Sequence, residues 1–554
     1  MAKGLVKVLE SQRAVLDGDR SSWLPLWKEC GEYLLPWNTR FNTTETNRGD
    51  RRGQKVVDPA GTTALTTLSH GLVSGVTSPT RPWFMLGTPD PALNSYRSVK
   101  AWLESVRDLV LEVFLRSNLY TVLPTAYRDV GGFGVTAFAV VEDEEDIIRC
   151  YHYPIGSYSL GVSHRGVVDT CFREFKMTVG QMADRFGKDK LSIGSQNLLE
   201  QKPNSWVDVV HAVVPNPEKD PAKLEATKKA FLSVYYEKAG NEGNTLAESG
   251  FDEFPIMAPR WTTIGEDIYG SECPGFVALG LVKGLQELQR KKLKALAKQI
   301  DPALQAPSAM KRRVISLLPS DISYHDSSTT PDPIRPIHQV NTNLADVSNE
   351  IADTRRAIQR IFFEDLFMMI SQSDRREITA YEIQVRQEEK ILALGPVLER
   401  LNDEMLDPLI SRTVSILERR GMIPPLPPEL VGIPINIEYT SILSQARKLQ
   451  DVNGIQQLGQ AVMNLSAFDP SVRYKFDAME AVDQLQSGLG VSASLVVDTK
   501  KAQQMAANDA KQQQMAQAMA TAQQGAETAK TMSEANIDPA VLQQAANALQ
   551  GATL

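Results

Sequence analysis

The chain has 554 residues, long enough for more than one hydrophobic core, so several subdomains are expected. Its net charge of -8 with 42% hydrophobic residues makes an ordinary acidic surface, which argues against a basic, tight nucleic-acid binder. No run approaches the ~18 apolar residues of a membrane span, and the amino terminus lacks the apolar core of a signal peptide. Cys30, Cys150, Cys171 and Cys273 lie far apart without a CxxC pair, which reads as four reduced thiols rather than a metal site.

Residues up to about Tyr33 carry apolar positions at helical spacing, with Ser21 and Ser22 as candidate caps. Arg40 to Lys55 is a polar loop, and Asp58-Pro59-Ala60-Gly61 opens a helix with Leu65, Leu68 and Leu72 on its buried face. Pro79 and Pro82 then force an extended turn before Trp83-Phe84, an aromatic pair expected in the core. An amphipathic helix follows at Tyr96 to Leu119 and a short one at Leu123 to Val130. Gly131-Gly132-Phe133-Gly134 precedes a strand, so the phosphate-cradle reading of those glycines fails. The strand reverses through Glu142 to Asp146, an acidic hairpin tip without calcium-loop spacing.

Strands and a helix at Val179 to Arg185 fill Tyr158 to Val214, and Lys229 to Tyr236 and Phe251 to Trp261 read as further strands, giving an α+β region. A long helix is expected from Phe276 to Ile300, with Lys291, Lys294 and Lys298 sharing a face. Asp301 to Asn341 is punctuated by prolines and carries β-prone runs and the basic triplet Lys311-Arg312-Arg313. A second helix places Leu344, Val347, Ile351, Ile358 and Ile361 on one stripe, with Arg355, Arg356 and Arg360 off it. Ser371 to Arg376 is polar and aperiodic. Thr379-Ala380-Tyr381-Glu382 is a capping box that starts a longer helix, bent at Pro396 and Pro408 and closed by Arg419-Arg420-Gly421. A proline-stiffened linker, a strand at Ile435 to Tyr439 and helices at Ser444 to Asn464, Ser471 to Leu485 and Ala493 to Lys501 come next. The remainder is rich in Ala, Gln and Met, with few large apolar groups to fix it, so a frayed tail competes with a helical barrel.

Three stretches resemble the portal proteins, or head-to-tail connectors, of short-tailed bacteriophages. They are Ser69 to Phe84, Phe254 to Gly275, and Arg375 to Glu382 with Leu394-Gly395-Pro396-Val397-Leu398-Glu399-Arg400-Leu401, and they occur in family order. The resemblance implies an α+β subunit with an α/β wing (1–275), a first stem helix (276–300) and a small β-containing clip (301–343). A second stem helix (344–370), a tunnel loop (371–377), a long kinked wing helix (378–421), a helical crown (422–500) and the tail (501–554) complete it. It implies a homo-oligomer, a dodecameric ring at one capsid vertex of the virion, assembled in the host bacterial cytoplasm. Its implied partners are the terminase motor, tail adaptor and tail tube proteins, major capsid and scaffolding proteins, and double-stranded DNA passing without sequence specificity.

On that reading Arg375, Arg376, Lys291, Lys294 and Lys298 are DNA-channel candidates, with a solvated face or subunit salt bridges as the plainer alternative. Lys311, Arg312 and Arg313 are candidates for binding a partner at the clip, and Arg355, Arg356 and Arg360 for pairing between subunits. No catalytic residue, metal or cofactor is expected. A capsid shell or scaffolding protein is the alternative function, and a packaging enzyme a weaker one, since no GxxxxGK[ST] occurs.

Overall fold

The computed structural model describes residues 2–300, 343–367 and 394–534 with short breaks, the longest at 42–51, and outside them the pairs 304–305 and 335–336. The tunnel-loop residues 371–377, the capping box at 379–382 and most of 301–342 lie outside the described residues.

In chain order, helices α1 (Ala2–Ser21), α2 (Leu24–Tyr33) and α3 (Ala60–Gly75) precede strand β1 (Phe84–Gly87) and helices α4 (Arg97–Arg116) and α5 (Leu119–Phe133). Ser21 and Ser22 do not cap α2. Their hydroxyls donate backward to the carbonyls of Gly18 and Asp19, closing α1 instead. Trp83 and Phe84 are buried against Phe114, as expected of a core pair.

Helix α5 is longer than its sequence predicts, because Gly131 and Gly132 lie inside it rather than after it. They are contact points: a Cβ on Gly132 would stand 2.9 Å from Leu35 and 3.1 Å from Leu65, so only glycine lets α5 approach α3 this closely. Gly134 then ends the helix in the left-handed conformation, φ 79°, its N–H donating to the carbonyl of Val130.

Strands β2 (Ala137–Asp143) and β3 (Ile147–Tyr153) form the hairpin whose tip is acidic, and the Asp143 carboxylate accepts from the N–H groups of Glu145 and Asp146 to close the turn. Next come β4 (Tyr158–Val162), β5 (Val168–Thr178), α6 (Val179–Phe186), α7 (Ile193–Gln201), β6 (Trp206–Pro215), β7 (Phe231–Glu237) and β8 (Thr245–Phe251). The five strands β4 to β8 make one antiparallel meander in sequence order. Alternation along β6 decides its two faces. Val210, Ala212 and Val214 pack with Val6 and Leu9 of α1, while Val209 packs with Val179 and Met182 of α6. Both faces are therefore covered by helices. Helix α7 and strand β8 are not legible in the sequence. The strand expected from Phe251 to Trp261 shrinks to the end of β8 and the two-residue β9 (Ile256–Met257), because Pro255 and Pro259 cannot donate to a ladder.

Helix α8 (Pro274–Ile300) leads toward a short antiparallel pair, β10 (Leu304–Gln305) with β11 (Arg335–Pro336), after which α9 (Leu344–Ile361) begins. The β10–β11 pairing brings the end of α8 near the start of α9, and the two helices pack together. Helix α9 is interrupted by the buried Phe362 and by Phe363 at φ 56°, well short of Ile370. Residues 394–401 are helical and run into a π-helical turn, Asn402–Leu406, before α10 (Asp407–Arg419). Pro408 explains the turn. Its ring crowds the carbonyl four residues back, and one extra residue per turn relieves the clash.

The chain then forms β12 (Asn436–Tyr439), α11 (Ile442–Ser466), α12 (Ala478–Leu489) and α13 (Thr499–Glu534). Where the sequence favours a frayed tail, the described residues are helical through Glu534. Two compact units result: Met1–Leu86 with Ser105–Pro425 and Ile437–Ser441, and Gly87–Glu104 with Leu426–Asn436 and Ile442–Leu554. In the second, α11 packs on α12. No helix is long and apolar enough to cross a membrane among the described residues.

Candidate functional site

Helix α8 is anchored as far as Arg290 and bare beyond it. Pro274, Gly275, Ala278, Leu279, Val282, Leu285 and Gln286 are buried, whereas Leu293, Leu296 and Ile300 are exposed. The anchor centres on Asp58, just before α3. Gln286 Oε1 accepts from the N–H groups of Val57 (2.7 Å) and Asp58 (2.8 Å), and its Nε2 donates to the Asp58 carbonyl at 2.9 Å. Asp58 is only 3% exposed. Its Oδ2 accepts from Gln289 Nε2 at 3.0 Å and from Arg355 Nε and Nη2 at 3.0 and 2.8 Å. Burial alone would raise its pKa. Hydrogen bonds from Gln289, the Ala60 N–H and Arg355 outweigh that cost and hold the carboxyl below its usual value.

This junction places the sequence-derived candidates. Arg355 is engaged within its own chain, because a buried carboxylate needs a cation. Arg356 pairs with Asp353 on its own helix, and Arg360 is exposed. Lys283 is tied to Glu29 at 2.7 Å and Arg290 to the Lys55 carbonyl at 2.9 Å, so these two basic residues fasten α8 to the subunit. Lys291, Lys294 and Lys298 differ. All three are exposed, and the nearest acid to Lys291 is Glu287 on the same helix at 3.5 Å. They stand on the side of α8 opposite its buried residues. Arg375, Arg376, Lys311, Arg312 and Arg313 lie outside the described residues.

Two ion pairs built on buried arginines are not legible in the sequence. Arg260, 3% exposed, forks onto Glu404 of the π-helical turn at 2.6 Å and also donates to the Gly166 carbonyl at 2.7 Å. Arg412 of α10, 1% exposed, donates from Nε to the Val140 carbonyl at 2.8 Å and from Nη1 to both the carbonyl and carboxylate of Glu253 at 3.1 Å. Beside it Arg419 reaches Glu142 at 2.7 Å, so the acidic hairpin tip serves as a docking post for α10. The only hint in the sequence is charge inside an apolar stripe. The thiols of Cys30, Cys150 and Cys171 are pushed up to about 12 by burial, which leaves them unreactive. Among the described residues no group of three or more His, Cys, Asp or Glu could hold a metal ion.

The architecture defines a class first: a mixed α+β chain with a five-stranded antiparallel meander and two long helices, α8 and α9, packed on each other. A family model described as bacteriophage head to tail connecting protein matches residues 6–497. The portal protein of Salmonella phage epsilon15 is 44% identical over 550 residues, covering 99% of each chain. A probable portal protein of Bordetella phage BPP-1 is 38% identical over 492 residues, covering 89% of this chain and 88% of its own. A chain from the virion of a native gene transfer agent particle aligns over 73% of this chain and 86% of its own, at 11% identity and a TM-score of 0.31, too slight a likeness to carry an argument. The chain belongs to the family of bacteriophage head-to-tail connecting proteins, structural portal components of the virion at the capsid vertex rather than enzymes. The capsid-shell, scaffolding and packaging-enzyme alternatives fall with that membership.

Proposed function

We propose that twelve copies of this chain close into a ring whose bore is the path of double-stranded DNA, inward during packaging by a terminase motor and outward at ejection through a short tail. The observation that carries this reading is the pair α8 and α9: anchored to the body at Asp58, they run on with exposed apolar and charged residues that suit neighbouring copies. They are the stem, and the insert between them, residues 301–343, is the clip. Lys311, Arg312 and Arg313 there offer positive charge to terminase during packaging and to tail adaptor proteins afterwards. The body from residue 1 to 275 is the wing facing capsid and scaffolding proteins, and the helices beyond residue 422 form the crown.

Sliding DNA tolerates few fixed attachments, since each neutralised phosphate adds to affinity and slows release. An acidic subunit with isolated basic belts meets that need. Arg375 and Arg376 form one such belt, and Lys291, Lys294 and Lys298 face either the bore or the next subunit. A variant with Arg375→Ala and Arg376→Ala should assemble normally, as judged by native mass spectrometry, yet package or retain less DNA. Wild-type packaging and retention by that variant would remove the loop from the channel.

A further inference from the structure

The two stem helices carry opposite charge on their outer faces, and the charges are in register. Gln289 of α8 and Arg355 of α9 donate to the same oxygen, Oδ2 of Asp58, so these two residues stand at one level. The helices are antiparallel, since the β10–β11 pairing ties the end of α8 to the approach to α9. Both rise by the same step per residue. Two residues moving up α8 from Gln289 therefore reach Lys291 as two moving back along α9 from Arg355 reach Asp353. By the same count Lys294 is level with Glu350 and Lys298 with Asp346. The spacings of three and four match in mirrored order.

These pairs do not meet within the subunit. Each lysine is exposed on the side of α8 opposite its buried residues, and Asp346, Glu350 and Asp353 are exposed on the side of α9 away from its buried Ile351 and Ile358. The helix pair thus presents a basic face on α8 and an acidic face on α9 at equal heights. Among the described residues, Lys291 pairs only with Glu287, Asp353 only with Arg356, and neither pairing crosses between the two helices. A closed ring needs a head-to-tail contact between two different surfaces, and opposite charges on the two faces supply one.

We infer that the occupant of each face is a second copy of this chain, with Lys291, Lys294 and Lys298 of one stem set against Asp353, Glu350 and Asp346 of the next. This rests on the ring proposed above and decides between its two options for the lysines: they hold neighbours together rather than lining the bore. A single exposed ion pair is weak and screened by salt, but a ring repeats the three rungs at every interface and closes only if all interfaces form.

The test uses two full-length charge reversals: Lys291→Glu with Lys294→Glu and Lys298→Glu, and Asp346→Lys with Glu350→Lys and Asp353→Lys. Each should keep the wild-type circular dichroism spectrum and melting curve yet give no rings by sedimentation velocity at a concentration where wild type is fully assembled. Mixed in equal amounts the two should regain rings, because an all-acidic stem then alternates with an all-basic one. Rings from either reversal alone, or no rings from the mixture, would overturn the pairing. Absence of rings from wild type itself would instead overturn the ring on which the pairing rests.

Discussion

Gly134 shows how a single residue can hold one conformation for two reasons. Its φ of 79° lies where a side chain costs about 1–2 kcal/mol, and a Cβ there would sit 2.5 Å from the Gly270 carbonyl oxygen. Gly134→Ala should therefore destabilise the protein by more than about 2 kcal/mol, read as a fall in melting temperature, and an unchanged melt would show that Gly270 can move aside. His211 makes a second claim testable by pH. It stacks on Tyr235 at 3.9 Å and shares a 2.9 Å hydrogen bond with Ser233, and burial, with Arg173 and Arg185 adding to it, pushes its pKa down to about 3. The folded protein keeps the ring neutral, whereas the unfolded chain protonates it near pH 6.5. Its contribution is thus fully present above pH 6.5 and is lost as pH falls toward 3, by up to roughly 1.4 kcal/mol per unit. Urea midpoints of wild type should fall between pH 6.5 and 4.5 more steeply than those of His211→Gln; parallel slopes would mean that the ring is not held neutral.

At the scale of elements, what the sequence made legible was periodicity, and what it hid was partnership across long separations. The stripe of α9, the acidic hairpin and the long run of α8 follow from local spacing. The π-helical turn does not, because Pro408 announces only that something must give, and Arg260, 144 residues from Glu404 along the chain, settles where. One inserted residue turns Glu404 toward Arg260 while leaving both Met405 and Leu406 in the core. Glu404→Ala leaves a buried guanidinium without its carboxylate and should cost roughly 3–5 kcal/mol by thermal unfolding, where a loss below about 1 kcal/mol would show the pair to be solvated. The glycines of α5 read locally as helix breakers, yet close contact with Leu35, Leu65 and Leu68 overrides their low propensity. In α13 the reverse holds. Met505, Met515 and Met519 are exposed, and alanine and glutamine propensity carries about 54 Å of helix.

For the whole molecule, the family was legible from three motifs spread over most of the chain, and the match across residues 6–497 bears the family out. The lysines of α8 were legible as a face but not as a level. Their height relative to the acids of α9 is read from Asp58, a residue far away in sequence whose role no local pattern announces. The same junction fastens α8 and α9 to the body through Gln286, Gln289, Lys283 and Arg355, and beyond it Leu293, Leu296 and Ile300 are exposed. The most direct test of the proposed ring is electron microscopy of the purified protein, averaged in views down the particle axis. Closed rings with a central hole wide enough for duplex DNA, each subunit contributing its α8–α9 pair to the wall, are expected; closed shells of many copies, or rings with those helices splayed outward and no bore, would overturn it.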